Sequence, residues 1–218
     1  TIWLYYSYVM NDPRCMEIGS AFQRFVTTLE KAHAEYDLGS EHIIKDRGSV
    51  RGGKFVVGKR AYAKVVIPPM TENLNAGTFS LIRQFVEAGG QLVLFAKPTL
   101  VDGRPSPELA DFLDLNASRI RRYAALDGKA IAESFADDRI RFCNFTGNDL
   151  YHQRRSYEDG ELLFLVNSSL SDTATGSVGL PAGELVELDA VSGDMRPYPH
   201  TADRKSVGAD FSLPPAGS

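Results

Sequence analysis

The sequence predicts an α/β layer built on a parallel sheet, followed by a smaller antiparallel β-rich region. Three observations carry this. Two continuous apolar runs, Val65 to Ile67 and Leu92 to Phe95, flank a segment whose Phe79, Ile82, Phe85 and Val86 recur at helical spacing. Uninterrupted β-branched and aromatic runs suit strands covered on both faces, and a helical link between two of them suits a parallel pair with a right-handed crossover. After about Asn116 the pattern changes to short segments separated by closely spaced turn signals, which predicts antiparallel strands in a sandwich or part of one.

In order, Ile2 to Val9 reads as a first strand and Met10 to Met16, with Asn11-Asp12-Pro13, as a loop at its carboxyl end. Ile18, Ala21, Phe22, Phe25, Val26, Leu29 and Ala32 form an amphipathic stripe, so a helix is expected over Ile18 to Ala34. Ala34 to Leu38 is a short strand or extended turn, and Glu41 to Lys45 a single helical turn. Arg47 to Tyr62 alternates around Gly52-Gly53 and predicts an exposed hairpin of two short strands. The strand-helix-strand unit Ala63 to Pro98 follows, with Ala88-Gly89-Gly90 supplying the left-handed residue that ends its helix. Lys97 to Pro107, rich in Pro and Gly, is expected to be a loop, and Pro107 to Leu115 a helix with Pro and Glu in its first turn.

Beyond that point, Ile120 to Tyr123 is a candidate strand and Lys129 to Phe135 a short helix. Strand candidates then run Ile140 to Phe145, Tyr151 to Glu158, Glu161 to Asn167, Gly176 to Leu180, Glu184 to Asp189, Met195 to Tyr198 and Val207 to Leu213. Asp159-Gly160 is the strongest hairpin signal among them. The expected division is 1–115 and 116–218, with a boundary somewhere in Asn116 to Asp138. The start directly in a strand without Met, and the turn-like Leu213 to Ser218, suggest a piece of a longer chain.

Composition narrows the function classes. With 218 residues, 24 basic and 28 acidic, the net charge of -4 gives no reason to expect a nucleic acid or an anionic membrane. The basic clusters Arg119 to Arg122 and Arg154-Arg155 read as solvated strand faces. No apolar run approaches the roughly 20 residues of a spanning helix, and no signal peptide is visible, so localisation is not encoded. Cys15 and Cys143 lack any ligand or redox spacing and are expected to be free thiols, Cys143 buried in a strand.

The first half has the layout of a flavodoxin-like or class I glutamine-amidotransferase-like layer, and a site belongs at the carboxyl ends of its strands. Those ends are Tyr8 to Pro13, Pro68 to Thr71 and Lys97 to Thr99. They carry no glycine cradle for a phosphate, so no cofactor is expected. No nucleophile elbow follows Leu92 to Phe95, where Ala96-Lys97-Pro98-Thr99 stands, and no catalytic residue is assigned. His33, His42, His152 and His200 show no metal-ligand spacing. His33 lies at the edge of the helix face, in a capping or half-buried role. Acids such as Asp12, Glu17 and Glu72 read as exposed loop carboxylates. Trp3, Tyr5, Tyr6 and Tyr8 crowd the first strand, mostly as core. The ligand-contact candidates are Tyr8, Asn11, Asp12 and Met70. Asn-x-Ser/Thr triplets stand at Asn116, Asn144 and Asn167.

A resemblance is carried by the order of AHAEYDL, a polar turn, GGKFVVGKRAY, AKVVIPPM, a helix ending VEAGG, and QLVLFAKP. It resembles the amidotransferase-like α/β domain that follows the catalytic barrel in large bacterial glycoside hydrolases, of the α-L-rhamnosidase type and more distantly the β-galactosidases. RRSYEDGELLFLVNSS, GELVELDAVSGDMRPYP and FSLPPAGS are similar to the β-sandwich that comes next in those enzymes. The resemblance implies a non-catalytic accessory layer, with the catalytic carboxylates on an upstream barrel as partner, and an oligomer or a carbohydrate contact compatible with it. Two alternatives stay open: a carbohydrate-binding or assembly module of another enzyme, and an independent amidotransferase-like hydrolase using Cys15.

Overall fold

The computed structural model describes residues 12–128, 131, 135, 140–147, 149–181, 183–189, 192–203 and 206–218. The expected strand Ile2 to Val9 lies outside the described residues, as does nearly all of the helix expected over Lys129 to Phe135. The content is mixed α/β, with one parallel sheet and several antiparallel ones. The chain divides into two units: the described residues through Val26 with Tyr36–Leu126, and Thr27–Glu35 with Asp127–Ser218.

Helix α1 is Pro13–Lys31, not Ile18 to Ala34. It starts early because Asp12 caps it, its Oδ1 accepting from the amides of Arg14 (2.8 Å) and Cys15 (3.4 Å). More than half of the expected loop Met10 to Met16, from Pro13 on, is therefore helix. Ala21, Phe25 and Leu29 are buried, whereas Phe22, expected in the same stripe, is exposed. The helix ends in a Schellman motif, with Ala34 N–H on the Leu29 carbonyl, His33 N–H on that of Glu30, and His33 left-handed at φ 53°.

Helix α2 (Glu41–Arg47) leads into a meander of three strands, β1 (Gly48–Arg51), β2 (Lys54–Val57) and β3 (Arg60–Tyr62). This corrects the exposed two-stranded hairpin: Phe55 is buried, and Val50, Val57 and Tyr62 pack on the core of the unit. A second tight turn at Gly58, φ 60°, adds the third strand.

The predicted strand-helix-strand unit is present. Strand β4 (Lys64–Ile67) pairs parallel with β6 (Gln91–Leu94) across helix α3 (Ala76–Glu87). Phe79, Ile82, Phe85 and Val86, the residues read as its apolar face, are all buried. Its end repeats the Schellman geometry with glycine in the left-handed place, Gly89 at φ 88°, and Gly90 N–H on the Phe85 carbonyl at 2.8 Å. A Cβ on Gly90 would lie 2.2 Å from the Phe85 ring, so this close approach requires glycine.

The loop expected over Lys97 to Pro107 holds two short strands. Strand β5 (Asn73–Leu74) pairs parallel with β7 (Leu100–Val101), which turns through Asp102-Gly103, φ 48° and 75°, into β8 (Arg104–Pro105). Both central residues are left-handed, the type I′ hairpin pattern that an Asp-Gly pair favours. Asp102 Oδ1 then accepts from Ala76 N–H at 3.0 Å and caps α3, whose own cap residue Asn75 makes no side-chain capping bond. Helix α4 (Pro107–Leu115) is capped by Ser106, whose Oγ accepts from Leu109 N–H at 3.2 Å. Ser106→Ala is expected to cost about 1 kcal/mol, read as a lower urea midpoint with an unchanged slope.

Strand β9 (Ile120–Arg122) joins β6 in parallel, giving the order β4-β6-β9. The candidate strand at Ile120 thus belongs to the parallel sheet and not to the β-rich region. It runs alongside β6 because Ile120 is buried and fits the same core as Leu92, its register partner.

The second unit is antiparallel. Strand β13 (Ala174–Pro181) pairs on one edge with β10 (Arg141–Cys143) and on the other with β17 (Ser206–Leu213), which pairs with β16 (Thr201–Ala202). Strands β11 (Leu150–Ser156) and β12 (Glu161–Asn167) form a hairpin, and β14 (Val186–Leu188) pairs with β15 (Met195–Pro197). Val178, Ala209 and Ile140 make a small core there. Cys143, expected to be buried, is exposed. It alternates with Phe142, whose side chain faces that core in its place.

Candidate functional site

The carboxyl ends of β4, β6 and β9 lie side by side, and each is followed by residues that line one cleft of about 220 Å³. Pro69 and Met70 come from the end of β4, Phe95 from the end of β6, and Tyr123 to Leu126 from the end of β9, with Ala21 and Arg24 from α1. Parallel strands put all their carboxyl ends on one edge, which is why residues so far apart in sequence meet.

The cleft floor is aromatic. Phe95 stacks on Tyr123 with centroids 5.0 Å apart and planes 14° apart, and Phe25 meets Phe95 edge-on at 5.0 Å. On one side Met70 is left-handed at φ 60°, in a turn where Thr71 Oγ1 donates to the Pro68 carbonyl at 2.9 Å. Pro69 followed by a left-handed residue is a type II pattern, in which a glycine would be the unstrained choice. A non-glycine residue there costs on the order of 1 kcal/mol, and such strain collects at ligand-contacting turns.

Beside the cleft, Lys97 Nζ bonds Asp114 at 3.0 Å and Arg122 approaches the same carboxylate at 3.6 Å. The Lys97 bond, with the guanidinium behind it, holds the Asp114 carboxyl below its usual range. Arg14 pairs with Glu72. The arrangement can hold a small, mainly apolar group against aromatic rings, with Arg24 as the charged group in its lining.

Of the four ligand-contact candidates, Met70 lines this cleft, and Asp12 is engaged as the α1 cap. Tyr8 and Asn11 lie outside the described residues. The sequence reading missed Phe95, Tyr123 and Arg24. The first two had a signal, since each is the aromatic residue that directly follows a strand of the sheet.

A second polar concavity of about 280 Å³ sits in the β-rich unit, lined by Thr146, Asp149, Asn167, Ser169 and Asp172 among others. Asn167 is buried and fully bonded. No group of three His, Cys, Asp or Glu among the described residues is placed to hold a metal ion, and no helix among them is long and apolar enough to cross a membrane.

No family model and no curated protein matches the sequence. The fold, however, is similar to part of a rhamnosidase. The solved rhamnosidase structure from Novosphingobium sp. PP1Y superposes with a TM-score of 0.59 at 15% identity, over 79% of this chain and 18% of the rhamnosidase chain. This chain therefore spans less than a fifth of that protein's length, and the likeness is one of fold alone.

In the second unit the structure corrects another expectation. Arg154, read as part of a solvated basic face, has a side chain only 4% exposed. Its Nε and Nη2 bond both carboxylate oxygens of Glu35 at 2.7 and 2.5 Å, and its Nη1 bonds Glu161 at 2.9 Å. The hydrogen bonds it donates to Glu35, foremost, push the guanidinium pKa up despite burial.

Proposed function

We propose that the chain is a non-catalytic accessory domain of a multidomain bacterial glycoside hydrolase of the α-L-rhamnosidase type, with a flavodoxin-like or amidotransferase-like first layer. Its role is packing, assembly or the rim of the parent's active site. The observation that carries this reading is the end of β6. Where an amidotransferase would place its nucleophile, Phe95 is locked in the stack with Tyr123 and Phe25, and Lys97 is held by Asp114. The likeness to a segment of a rhamnosidase supports the same reading.

The reading is tested by the gene and by turnover. Upstream of the Thr1 codon, a reading frame continuous with a barrel-coding region is expected. The purified chain should show no hydrolysis of an aryl α-L-rhamnoside, while the continuous protein hydrolyses it. A start codon directly before Thr1, or turnover by the isolated chain that Cys15→Ser abolishes, would replace this reading by the independent-hydrolase one.

One observation favours a carbohydrate contact as a second reading: the aromatic cleft on the edge where such folds bind ligands. Retention on a glycan array that is lost in Tyr123→Ala and kept in the distant Ser106→Ala would support it.

A further inference from the structure

The end of α1 and the β-rich unit share an unusual pair of half-buried histidines. His33 occupies the left-handed position of the Schellman cap, and its ring packs on Phe142 at 4.2 Å, Phe145 at 5.1 Å and His152 at 5.6 Å. His152 also packs on Phe142 at 5.2 Å. Among the described residues, both ring nitrogens of His33 and Nδ1 of His152 are enclosed without a hydrogen-bond partner. Buried polar atoms are almost always bonded, so three such atoms in two touching rings are a cost that the aromatic packing must offset. Two facing imidazoles cannot both become cations there without repulsion.

We propose that the His33–His152 pair is an acid-sensitive latch: with both rings neutral it holds the Thr27–Glu35 segment against β10 and β11, and on acidification it releases that segment.

The surrounding charges act in both directions, and on His152 burial outweighs the nearby acids. Glu30, Lys31 and Glu35 lie on the segment; His152 and Arg154 come from β11, Asp149 from the residue before it, and Glu161 from β12, while β10 contributes the apolar Phe142. Glu35 Oε1 stands 3.7 Å from His152 Nε2 while both of its oxygens also accept from Arg154, so its charge is shared between the two groups. Lys31 pairs with Asp149 at 3.5 Å. Burial, and then the charge of His152, lowers the His33 pKa to about 4; burial also lowers that of His152, against the pull of Glu35 and Glu30.

A histidine lowered from its ordinary 6.5 binds fewer protons docked than released. Docking is therefore at full strength above the ordinary value and weakens as pH falls from 6.5 toward about 4. Allowing for screening of the half-buried ring, the opening constant should rise roughly tenfold between about pH 7.5 and about pH 5.

The test is hydrogen exchange of the full chain, expressed as protection factors corrected for intrinsic rate at each pH. The amides of Thr28–Tyr36 are expected to lose roughly tenfold in protection at the lower pH, while those of the β13–β17 pairing hold. His33→Asn, which tolerates the left-handed backbone, should remove most of that loss, and His152→Gln part of it. Should His33→Asn not fold, the His33 Cε1 proton of the unaltered chain decides, and titration near 6.5 overturns the latch. So would unchanged protection, or an equal loss in the unaltered chain and both variants.

Discussion

Phe85→Ala is expected to destabilise the first unit by about 3–5 kcal/mol. The Phe85 side chain is fully buried and meets Phe55 edge-on with centroids 5.8 Å apart. Gly90 presses directly on its ring, so the backbone that turns α3 into β6 is shaped around it. The cavity left by alanine is flanked by helix, meander and the Gly89-Gly90 turn, three elements that cannot all move inward together. Equilibrium urea unfolding measures the loss as a lower midpoint with an unchanged slope. A cost below about 1 kcal/mol would mean that the site collapses and that the packing around α3 is looser than these contacts indicate.

Asn167→Asp is expected to cost on the order of 3 kcal/mol near neutral pH. Asn167 is 2% exposed, and its Nδ2 donates to the carbonyls of Asp172 (2.7 Å), Pro214 (3.0 Å) and Leu213 (3.2 Å). Its Oδ1 accepts from Ser169 N–H at 3.1 Å, and its own amide bonds the Gly217 carbonyl at 2.8 Å. One side chain thus ties the end of β12 to the end of β17. A carboxylate would face three carbonyl oxygens with nothing to donate, which raises the pKa of the introduced acid. A raised folded-state value means the folded protein binds the extra proton, so the variant should regain stability on acidification from neutral pH. Urea midpoints at neutral and mildly acidic pH read this directly, and a variant equally stable at both would refute it. The same burial removes Asn167 as a glycan acceptor, although its triplet matches the acceptor pattern.

Much of the architecture was legible along the chain where local pattern and tertiary role agree. The α3 face, the glycine cap behind it and the β4–β6 parallel pair were all readable, because helical periodicity, continuous apolar runs and a Gly-Gly stop each have a local cause. Most strands of the β-rich region were also bracketed to within a few residues by turn chemistry. The start of α1 was misread because Asp12-Pro13 suits both a turn and a helix N-terminus, and only the amides it caps distinguish the two.

The sequence by itself determined the class of the fold, since apolar period and turn residues act over a few positions and need no distant partner. Tertiary structure alone decided where β9 belongs, which face of the β1–β3 meander is buried, and which residues meet at the cleft. Phe95 and Tyr123 stand 28 positions apart, and only the common direction of parallel strands brings their rings into a stack. The same holds for Arg154: its basic neighbour Arg155 suggests a solvated strand face, and only the arrival of Glu35 from beyond the end of α1 turns it inward. Charge pairing and ring packing depend on distances through space, and a one-dimensional pattern does not carry them.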